Sequence, residues 1–265
     1  MDDYQAIRVA MDARGVAALV LNNPARKNAL SARMMDELTD FAGRAAGDGI
    51  RAVVLSGAEG TFCAGGDLTW MQAQIDADPE GRRREAKRLA YMLKALNETP
   101  VPLIGRIEGV ALGGGIGMAC ICDVAIAAEG TRFGLTETRL GLIPATISPY
   151  VIARMGEGPA RQVFMNARVF GAEEATRLGI IARHVSPEAL DDAIEAEVAP
   201  YLSLPAGAVG RAKRLARSLG PRIDDDVINA TIDRLAEAWD TEEAREGIAA
   251  FLEKRKPAWA GKSGE

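Results

Sequence analysis

Two glycine-rich segments of this chain contain residues that could bind a developing negative charge. They are residues 62–67 (FCAGGD) and residues 109–117 (GVALGGGIG). A glycine-rich loop lets backbone N–H groups approach a ligand closely, and a loop that opens a helix also has free amides and a favourable dipole. Two such amides from separate loops would form an oxyanion hole. Residues 109–117 lack the G-x-G-x-x-G context of a dinucleotide-binding site.

Glu137 is the candidate proton donor and acceptor. It stands in the phrase FGLTETRLGLIP, so its neighbours are mostly apolar. Desolvation there would raise its pKa toward neutrality, which suits a group that both takes and gives a proton. An isolated glutamate is more often a surface residue, and glycines can serve tight packing alone. Each feature by itself therefore leaves both interpretations open.

Composition and charge indicate a soluble globular protein. The chain has 265 residues, of which 48% are hydrophobic and 26% are charged, with a net charge of -5. This acidic balance argues against sequence-independent binding of nucleic acid. The acidic N-terminus lacks the pattern of a secretory signal, and the longest weakly polar stretch, residues 109–122, is too short and glycine-rich to span a bilayer. We therefore expect a cytoplasmic protein without a membrane or nucleic-acid partner.

The cysteines and the single histidine predict no metal site. Cys63, Cys120 and Cys122 are odd in number and lack the spacing of a disulfide framework. One histidine in the whole chain cannot complete an ordinary zinc site with them. We interpret the three cysteines as buried thiols and His184 as a structural residue at the end of a strand.

The N-terminal half alternates strands and helices, which is typical of an α/β fold. Short apolar runs predict strands at residues 17–22, 51–56, 103–108 and 124–128. Helical spacing predicts helices that start at Ser31 and Asp67, a helix over 82–97 and a helix from the glycine triplet to Ile121. Residues 76–81 read as a polar, mobile break, and the basic run at 82–84 as a solvated helix face.

After residue 144 the chain is predicted to be mostly helical. The expected helices cover residues 148–155, 159–166, 172–179, 187–202, 207–219, 224–239 and 242–256. This asymmetry predicts a core domain over residues 1–200 and a C-terminal helical region over residues 201–265.

The phrases FCAGGD, GVALGGG and FGLTETRLGLIP together resemble the enoyl-CoA hydratase/isomerase (crotonase) superfamily, and the resemblance runs from residue 21 to residue 257. It implies a spiral of repeated ββα units and a C-terminal helical region that builds homotrimers, which pair as hexamers. It also implies an acyl-CoA thioester as substrate, with no cofactor beyond the coenzyme A of that substrate. Gly66 and Gly114 match the oxyanion residues of the superfamily, and Glu137 matches its second catalytic glutamate.

The resemblance further implies contacts to the substrate. Seven residues match binding positions for coenzyme A: Arg26, Lys27, Ala64, Asp67, Leu68, Phe251 and Lys254. The last two would reach coenzyme A across a subunit boundary. Surface charge explains Lys27 and Lys254 nearly as well. Trp70 and Met71 would line the acyl pocket, although core packing is an equally good interpretation.

Gly117 departs from the two-acid pattern of the hydratases, which reads GGG-x-E where this chain has GGGIG. One carboxylate is therefore missing, and Glu137 would have to deprotonate water and deliver the proton itself. The phrase GLTETRLGLIPATISPYV still resembles hydratases of branched glutaconyl-CoA thioesters from leucine or acyclic terpene breakdown. We expect Gly117 to leave space in the acyl pocket for a 3-branch or a second carboxylate. Arg139 could pair with that carboxylate, although a structural role is the stronger interpretation.

Four functions follow from these observations. The leading one is hydration of 3-methylglutaconyl-CoA or isohexenylglutaconyl-CoA. A Δ3,Δ2-enoyl-CoA isomerase also uses a single glutamate. A relative of the methylglutaconyl-CoA hydratases binds RNA, which the acidic charge disfavours here. A CoA-binding subunit without activity is the remaining alternative, suggested by Gly117.

Overall fold

The computed structural model describes residues 4–47 and 49–261. In these ranges it contains nine strands: β1 (Ile7–Met11), β2 (Val16–Leu21), β3 (Ala52–Gly57), β4 (Leu103–Ile107), β5 (Val110–Leu112), β6 (Val124–Ala128), β7 (Arg132–Gly134), β8 (Val169–Gly171) and β9 (Arg183–Val185). The same ranges contain eleven helices: α1 (Ala32–Arg44), α2 (Leu68–Asp76), α3 (Pro79–Glu98), α4 (Gly114–Ile121), α5 (Ser148–Met155), α6 (Glu157–Phe164), α7 (Ala172–Arg177), α8 (Leu190–Val198), α9 (Ala206–Ser218), α10 (Asp225–Trp239) and α11 (Glu242–Leu252).

The larger of two sheets has the strand order β1-β2-β3-β4-β6-β9. β1 and β2 are antiparallel, and every other neighbouring pair is parallel. Parallel neighbours need long crossover connections. α1 makes the crossover from β2 to β3, and α3 lies in the crossover from β3 to β4. Apolar residues of these strands, such as Val53 and Leu55, are fully buried beneath the helices.

The smaller sheet, β5-β7-β8, makes the chain wind as a spiral. β4 belongs to the larger sheet and β5 to the smaller one, and the same alternation holds for β6 and β7. α4 follows β5 directly and leads back to β6. A single bridge between Cys63 and Ala111 attaches the loop after β3 to β5. The two glycine-rich segments therefore meet at the start of α4.

The C-terminal helices fold back over the core of the same chain. α10 packs along α3 and is tied to it by ion pairs between Arg83 and Asp233 and between Lys94 and Asp225. α11 packs against the 3-10 turn Glu137–Leu140. The predicted boundary at residue 200 falls inside the 3-10 turn Ala199–Ser203. The helical region, described through residue 261, thus contributes directly to the surroundings of Glu137.

The predicted strands and most predicted helices are confirmed to within four residues, whereas β1, β5, β7 and β8 were missed and β9 was expected only as a strand ending near His184. β5, β7, β8 and β9 have three residues each, too few to show a two-residue period. β1 is mostly exposed, so it shows no apolar alternation. Residues 187–202 form the α8 helix between two 3-10 turns rather than one helix.

The expected mobile break at residues 76–81 was wrong, and the expected solvated face at residues 82–84 holds for Arg83 and Arg84 but not for Arg82. The break between α2 and α3 is only Ala77 and Asp78, because the Asp78 side chain accepts the Gly81 N–H and starts α3. Arg82 does not belong to a solvated face, since its side chain is only 10% exposed and pairs with Asp240. Its guanidinium also donates to the backbone carbonyl of Gln74 at 2.8 Å.

Gly141 tests the packing of α11 on the Glu137 turn. Gly141 has φ +69°, and a Cβ there would lie 2.4 Å from a backbone carbon of Glu243. We expect Gly141→Ala to lower the free energy of unfolding by about 2–4 kcal/mol, through left-handed strain and overpacking. Gly158→Ala is the matched control, because its Cβ would meet no atom within 4 Å. Equal urea midpoints for the two variants would contradict this packing.

Candidate active site

Backbone hydrogen bonds hold the first glycine-rich segment between two neighbouring loops. The Ala64 N–H donates to the Lys27 carbonyl at 3.0 Å, and the Leu112 N–H donates to the Cys63 carbonyl at 3.0 Å. Asn28 also holds the chain near this segment in place. Its side chain is fully buried, and its amide nitrogen donates to the Ala58 carbonyl at 2.9 Å. Sequence reasoning missed Asn28, although an asparagine directly after an N-P turn is a possible signal of such a contact.

The Gly66 and Gly114 amides lie on adjacent loops and are free. Gly114 is the first residue of α4, so its N–H has no acceptor inside the helix. A Cβ on Gly114 would lie 3.9 Å from both Cα and the carbonyl carbon of Gly65, which shows how closely the loops approach. Neither amide donates a hydrogen bond within the part of the chain that the structure describes. Two free N–H groups at a helix start favour an oxygen with negative charge.

The Glu137 carboxyl lies over the glycine triplet. Glu137 is the first residue of the turn Glu137–Leu140, and its Oε1 lies 3.0 Å from the position that a Cβ on Gly113 would occupy. Gly113 has φ +49°, so another residue there would be strained as well as too close to the carboxyl. This arrangement places the carboxyl beside the free Gly114 amide.

The surroundings of the Glu137 carboxyl favour its neutral form. Oε2 is buried and accepts no hydrogen bond within the described residues. Burial raises the pKa of Glu137 from 4.5 to about 7, although the backbone N–H groups of Glu137 and Thr136 oppose the rise. The raised pKa that the apolar phrase predicts is thus confirmed. A carboxyl with this pKa can take and give a proton near neutral pH.

A cavity of about 90 Å³ joins these groups. Gly66, Gly114 and Glu137 line it, and the remaining lining side chains are apolar: Leu30, Met35, Trp70, Met71, Leu89, Leu142, Ile143, Ile147, Leu235 and Trp239. Glu137 is the only titratable residue in this lining. The positions of Trp70 and Met71 agree with an acyl pocket, and their role toward an acyl group stays a prediction.

Gly117 does not open space in this cavity, so that expectation was wrong. A Cβ on Gly117 would lie 2.6 Å from Cγ2 and 2.9 Å from Cβ of Ile147. Ile147 is only 3% exposed and lines the cavity, whereas Gly117 does not. The volume that a larger residue at 117 would need is therefore already filled. Residue 147 could not be identified from sequence because the turn before α5 gives no periodic signal.

Of the seven residues predicted to contact coenzyme A, three lie on the loop next to the cavity. Asp67 caps α2, since its carboxylate accepts the Thr69 and Trp70 N–H groups. Leu68 is exposed beside it, and Ala64 is half-buried on the same loop. These residues flank the free Gly66 amide, but none of the three side chains lines the cavity.

The four remaining residues of that prediction lie on the surface. Arg26 and Lys27 are exposed, and Lys27 has a left-handed backbone. Phe251 is 52% exposed, and Lys254 follows it just after α11. These side chains do not line the cavity. Their contact with coenzyme A stays a prediction.

The cysteines and His184 lie outside the catalytic arrangement. All three cysteines are buried, and burial raises the pKa of each thiol to about 12. His184 lies in β9, with Nδ1 at 3.1 Å from the Thr176 hydroxyl. Among the described residues, no group of three or more His, Cys, Asp or Glu could hold a metal ion. No helix in residues 4–47 and 49–261 has the length and apolar character needed to cross a membrane.

Sequence reasoning also missed the part of the cavity wall that α10 supplies. Leu235 and Trp239 lie one turn apart on α10 and face the cavity. The helical spacing of α10 predicts an apolar face, but it does not indicate which surface that face covers.

Known proteins are similar in sequence to nearly the whole chain. A family model described as enoyl-CoA hydratase/isomerase matches residues 12–262. The mouse mitochondrial methylglutaconyl-CoA hydratase is 30% identical over 98% of this chain and 84% of its own length. A Bacillus subtilis protein named probable enoyl-CoA hydratase is 31% identical over 97% of this chain and 99% of its own length.

Solved structures agree with these relatives. An enoyl-CoA hydratase from Shewanella pealeana has a TM-score of 0.79 and 34% identity, covering 97% of both chains. AtuE from Pseudomonas aeruginosa has a TM-score of 0.79 and 35% identity, covering 97% of this chain and 100% of its own. The predicted crotonase-like α/β fold is therefore confirmed. By its sequence, its fold and the position of Glu137 beside two free amides, the chain belongs to the enoyl-CoA hydratase/isomerase family.

Proposed function

We propose that the chain is an enoyl-CoA hydratase that adds water to a 2-enoyl-CoA thioester with Glu137 as its only acid/base residue. The observation that carries this proposal is the cavity in which the Glu137 carboxyl meets the free Gly66 and Gly114 amides. The thioester oxygen binds the two amides. This places the double bond near the carboxyl.

The reaction balances with a single carboxyl. Glu137, as the carboxylate, takes one proton from water while the hydroxyl oxygen forms a bond to the β-carbon. The electrons of the double bond move to the thioester oxygen, and the enolate is stabilised by the Gly66 and Gly114 N–H groups. Glu137 then gives the same proton to the α-carbon, and the carboxylate is restored. Dehydration follows the same steps in reverse.

The lining of the cavity favours an apolar enoyl group. Among the described residues that line it, none is a lysine, arginine or histidine. A glutaconyl group would bring a second carboxylate beside Glu137, and like charges at a desolvated site repel. Arg139 is exposed and does not line the cavity, so it offers no partner there.

A branched glutaconyl-CoA thioester is the second candidate substrate. It is favoured by the mouse relative, whose name is methylglutaconyl-CoA hydratase. The Δ3,Δ2-isomerase remains the alternative reaction, because one carboxyl can also carry a proton between the α- and γ-carbons. We further propose a cytoplasmic homotrimer or homohexamer in which Phe251 and Lys254 contact coenzyme A of a neighbouring subunit.

A panel of thioesters tests these proposals. Purified protein is mixed with crotonyl-CoA, 3-methylcrotonyl-CoA, 3-methylglutaconyl-CoA and isohexenylglutaconyl-CoA, and the loss of enoyl-thioester absorbance is followed. The apolar thioesters should have the higher kcat/KM. Higher kcat/KM values for 3-methylglutaconyl-CoA and isohexenylglutaconyl-CoA would make the glutaconyl thioesters the preferred substrates instead. Products that keep their double bond at a new position would establish the isomerase instead.

Replacing the carboxyl of Glu137 tests its role directly. We expect Glu137→Gln to fold and to lose turnover by roughly a hundredfold or more, the scale of removing a general acid/base. Glu129→Gln is the control, because Glu129 is exposed and does not line the cavity. Turnover of Glu137→Gln near that of Glu129→Gln would place the catalyst elsewhere.

The pKa of Glu137 predicts how activity depends on pH. Hydration and dehydration both start from the carboxylate, so kcat/KM should fall as the pH drops below about 7. The fall should follow one protonation, since no other titratable side chain lines the cavity. A kcat/KM that is constant from pH 5.5 to pH 8, roughly the range that brackets this pKa, would contradict the assignment.

Stability should depend on pH through the same group. Burial raises the folded pKa above the unfolded value, so this contribution to stability is fully present below about pH 4.5 and is lost as the pH rises through about 7. Relative to Glu137→Gln, the wild type should lose on the order of 3 kcal/mol of unfolding free energy across that window. Urea unfolding of both proteins measures the difference, and parallel pH curves would contradict it.

Gly117 and Ile147 should behave as one unit. Gly117→Ala should cost about 1–3 kcal/mol, because its Cβ would lie 2.6 Å from Ile147 Cγ2. Ile147→Gly should relieve this clash, so a double-mutant cycle should show coupling of about 1–2 kcal/mol. Ile147→Val keeps a branched β-carbon, so it should not relieve the clash, and it serves as the control. If the changes in unfolding free energy caused by Gly117→Ala and Ile147→Gly simply add, the two residues do not share this space.

A further inference from the structure

Trp70 separates the acyl cavity from a larger cleft. The cleft has a volume of about 510 Å³ and lies between the start of α1, helix α2 and the start of α3. The acyl cavity measures about 90 Å³. Among the described residues, Trp70 alone lines both spaces. The indole is therefore the partition between them.

One hydrogen bond and one apolar contact hold the indole in place. Nε1–H donates to Glu85 Oε2 at 2.8 Å, and Glu85 also pairs with Arg88. At its other edge, Cζ3 lies 3.5 Å from the position of a Cβ on Gly66. The ring thus extends from the oxyanion loop to α3. Trp70 is half-buried, whereas Met35 and Ile147, which also line the acyl cavity, are buried in the core.

The volume of the inner cavity limits the acyl group. About 90 Å³ is less than the ~150 Å³ of an engineered cavity that holds benzene, so only a short enoyl group fits beside Glu137. A longer group needs adjacent space. The cleft behind Trp70 supplies it, because Trp70 alone among the described residues lines both the cavity and this neighbouring space of about 510 Å³.

The lining of the outer cleft is polar. The Gln74 side chain is only 4% exposed, and its Oε1 accepts no hydrogen bond within residues 4–47 and 49–261. Arg33 and Arg84 also line the cleft and make no ion pair in the described part of the chain. Asp67 and Glu85 line the cleft too, but Asp67 caps α2 and Glu85 pairs with Arg88. A carboxylate at the end of a chain that reached this space would therefore pair with the guanidinium groups of Arg33 and Arg84, whereas Gln74 Oε1 can only accept from a donor.

We propose that Trp70 is the residue that determines acyl-chain length, restricting the enzyme to short enoyl groups. Removal of its ring joins the two spaces into a pocket for long 2-enoyl thioesters that end in a carboxylate. This inference rests on the proposed hydration of CoA thioesters. It adds a specificity role for Trp70 and a recognition role for the cleft lined by Arg33 and Arg84.

The test compares Trp70→Ala with Leu89→Ala, a matched control that enlarges the inner cavity without touching the outer cleft. The substrates are crotonyl-CoA, trans-2-decenoyl-CoA and its ω-carboxylated analogue. In Trp70→Ala, kcat/KM for the ω-carboxylated thioester relative to crotonyl-CoA should rise about tenfold or more, the scale of one hydrogen bond to a charged group, which decenoyl-CoA cannot form. Leu89→Ala should not give this rise.

Three results would overturn the proposal. They are an unchanged ratio in Trp70→Ala, an equal rise in Leu89→Ala, and a gain for decenoyl-CoA as large as that for its carboxylated analogue. Should Trp70→Ala fail to fold, Trp70→Phe carries the test, with a rise in the same direction and a smaller size.

A binding measurement separates this inference from the proposed reaction. Calorimetric titration with saturated decanoyl-CoA and its ω-carboxylated analogue needs no turnover. Tighter binding of the carboxylated analogue by Trp70→Ala than by wild type would support the partition even if no variant hydrates any enoyl-CoA. Equal affinities would overturn it. Absence of hydration in every protein of the series would instead reject the proposed function.

Discussion

The burial of one unpaired carboxyl oxygen is the constraint on which the active site depends. Glu137 Oε2 accepts no hydrogen bond among the described residues, and burial therefore raises the pKa of the side chain to about 7. Three features maintain this state: the bare Cα of Gly113 below the carboxyl, α11 behind its turn, and the apolar walls around it. A cation or a polar wall here would lower the pKa and remove the capacity to give a proton near neutrality.

The presence of a single carboxyl in the cavity depends on both Gly117 and Ile147, not on Gly117 alone. Ile147 fills the space that a side chain at 117 would use. A second acid in this cavity would need room that Ile147 holds, and it would also place two like charges in a desolvated space. The arrangement instead leaves one carboxyl and an apolar wall.

Local patterns predicted much of the fold, whereas contacts between distant segments did not follow from them. The strands at 52–57 and 103–107 and the helix after the glycine triplet have clear apolar or capping signals. Gly66, Gly114 and Glu137 were predicted as site residues because their phrases resemble a family. Ile147 and Trp239 were not, because each depends on which surface its turn or helix covers. The expected space at Gly117 failed for the same reason: the sequence shows that a side chain is missing, not which neighbour fills its place.

The order in which α10 and α11 occur along the chain has a consequence for biosynthesis. Both helices follow the sheets and α3 in sequence, yet Leu235 and Trp239 form one wall of the cavity and Gly247 packs against the backbone of Leu140. As the chain leaves the ribosome, its sheets and α3 emerge first, and domains fold in that direction. Leu142 and the apolar side chains around Glu137 therefore stay open to water until α10 and α11 are made. These two helices then cover that apolar surface.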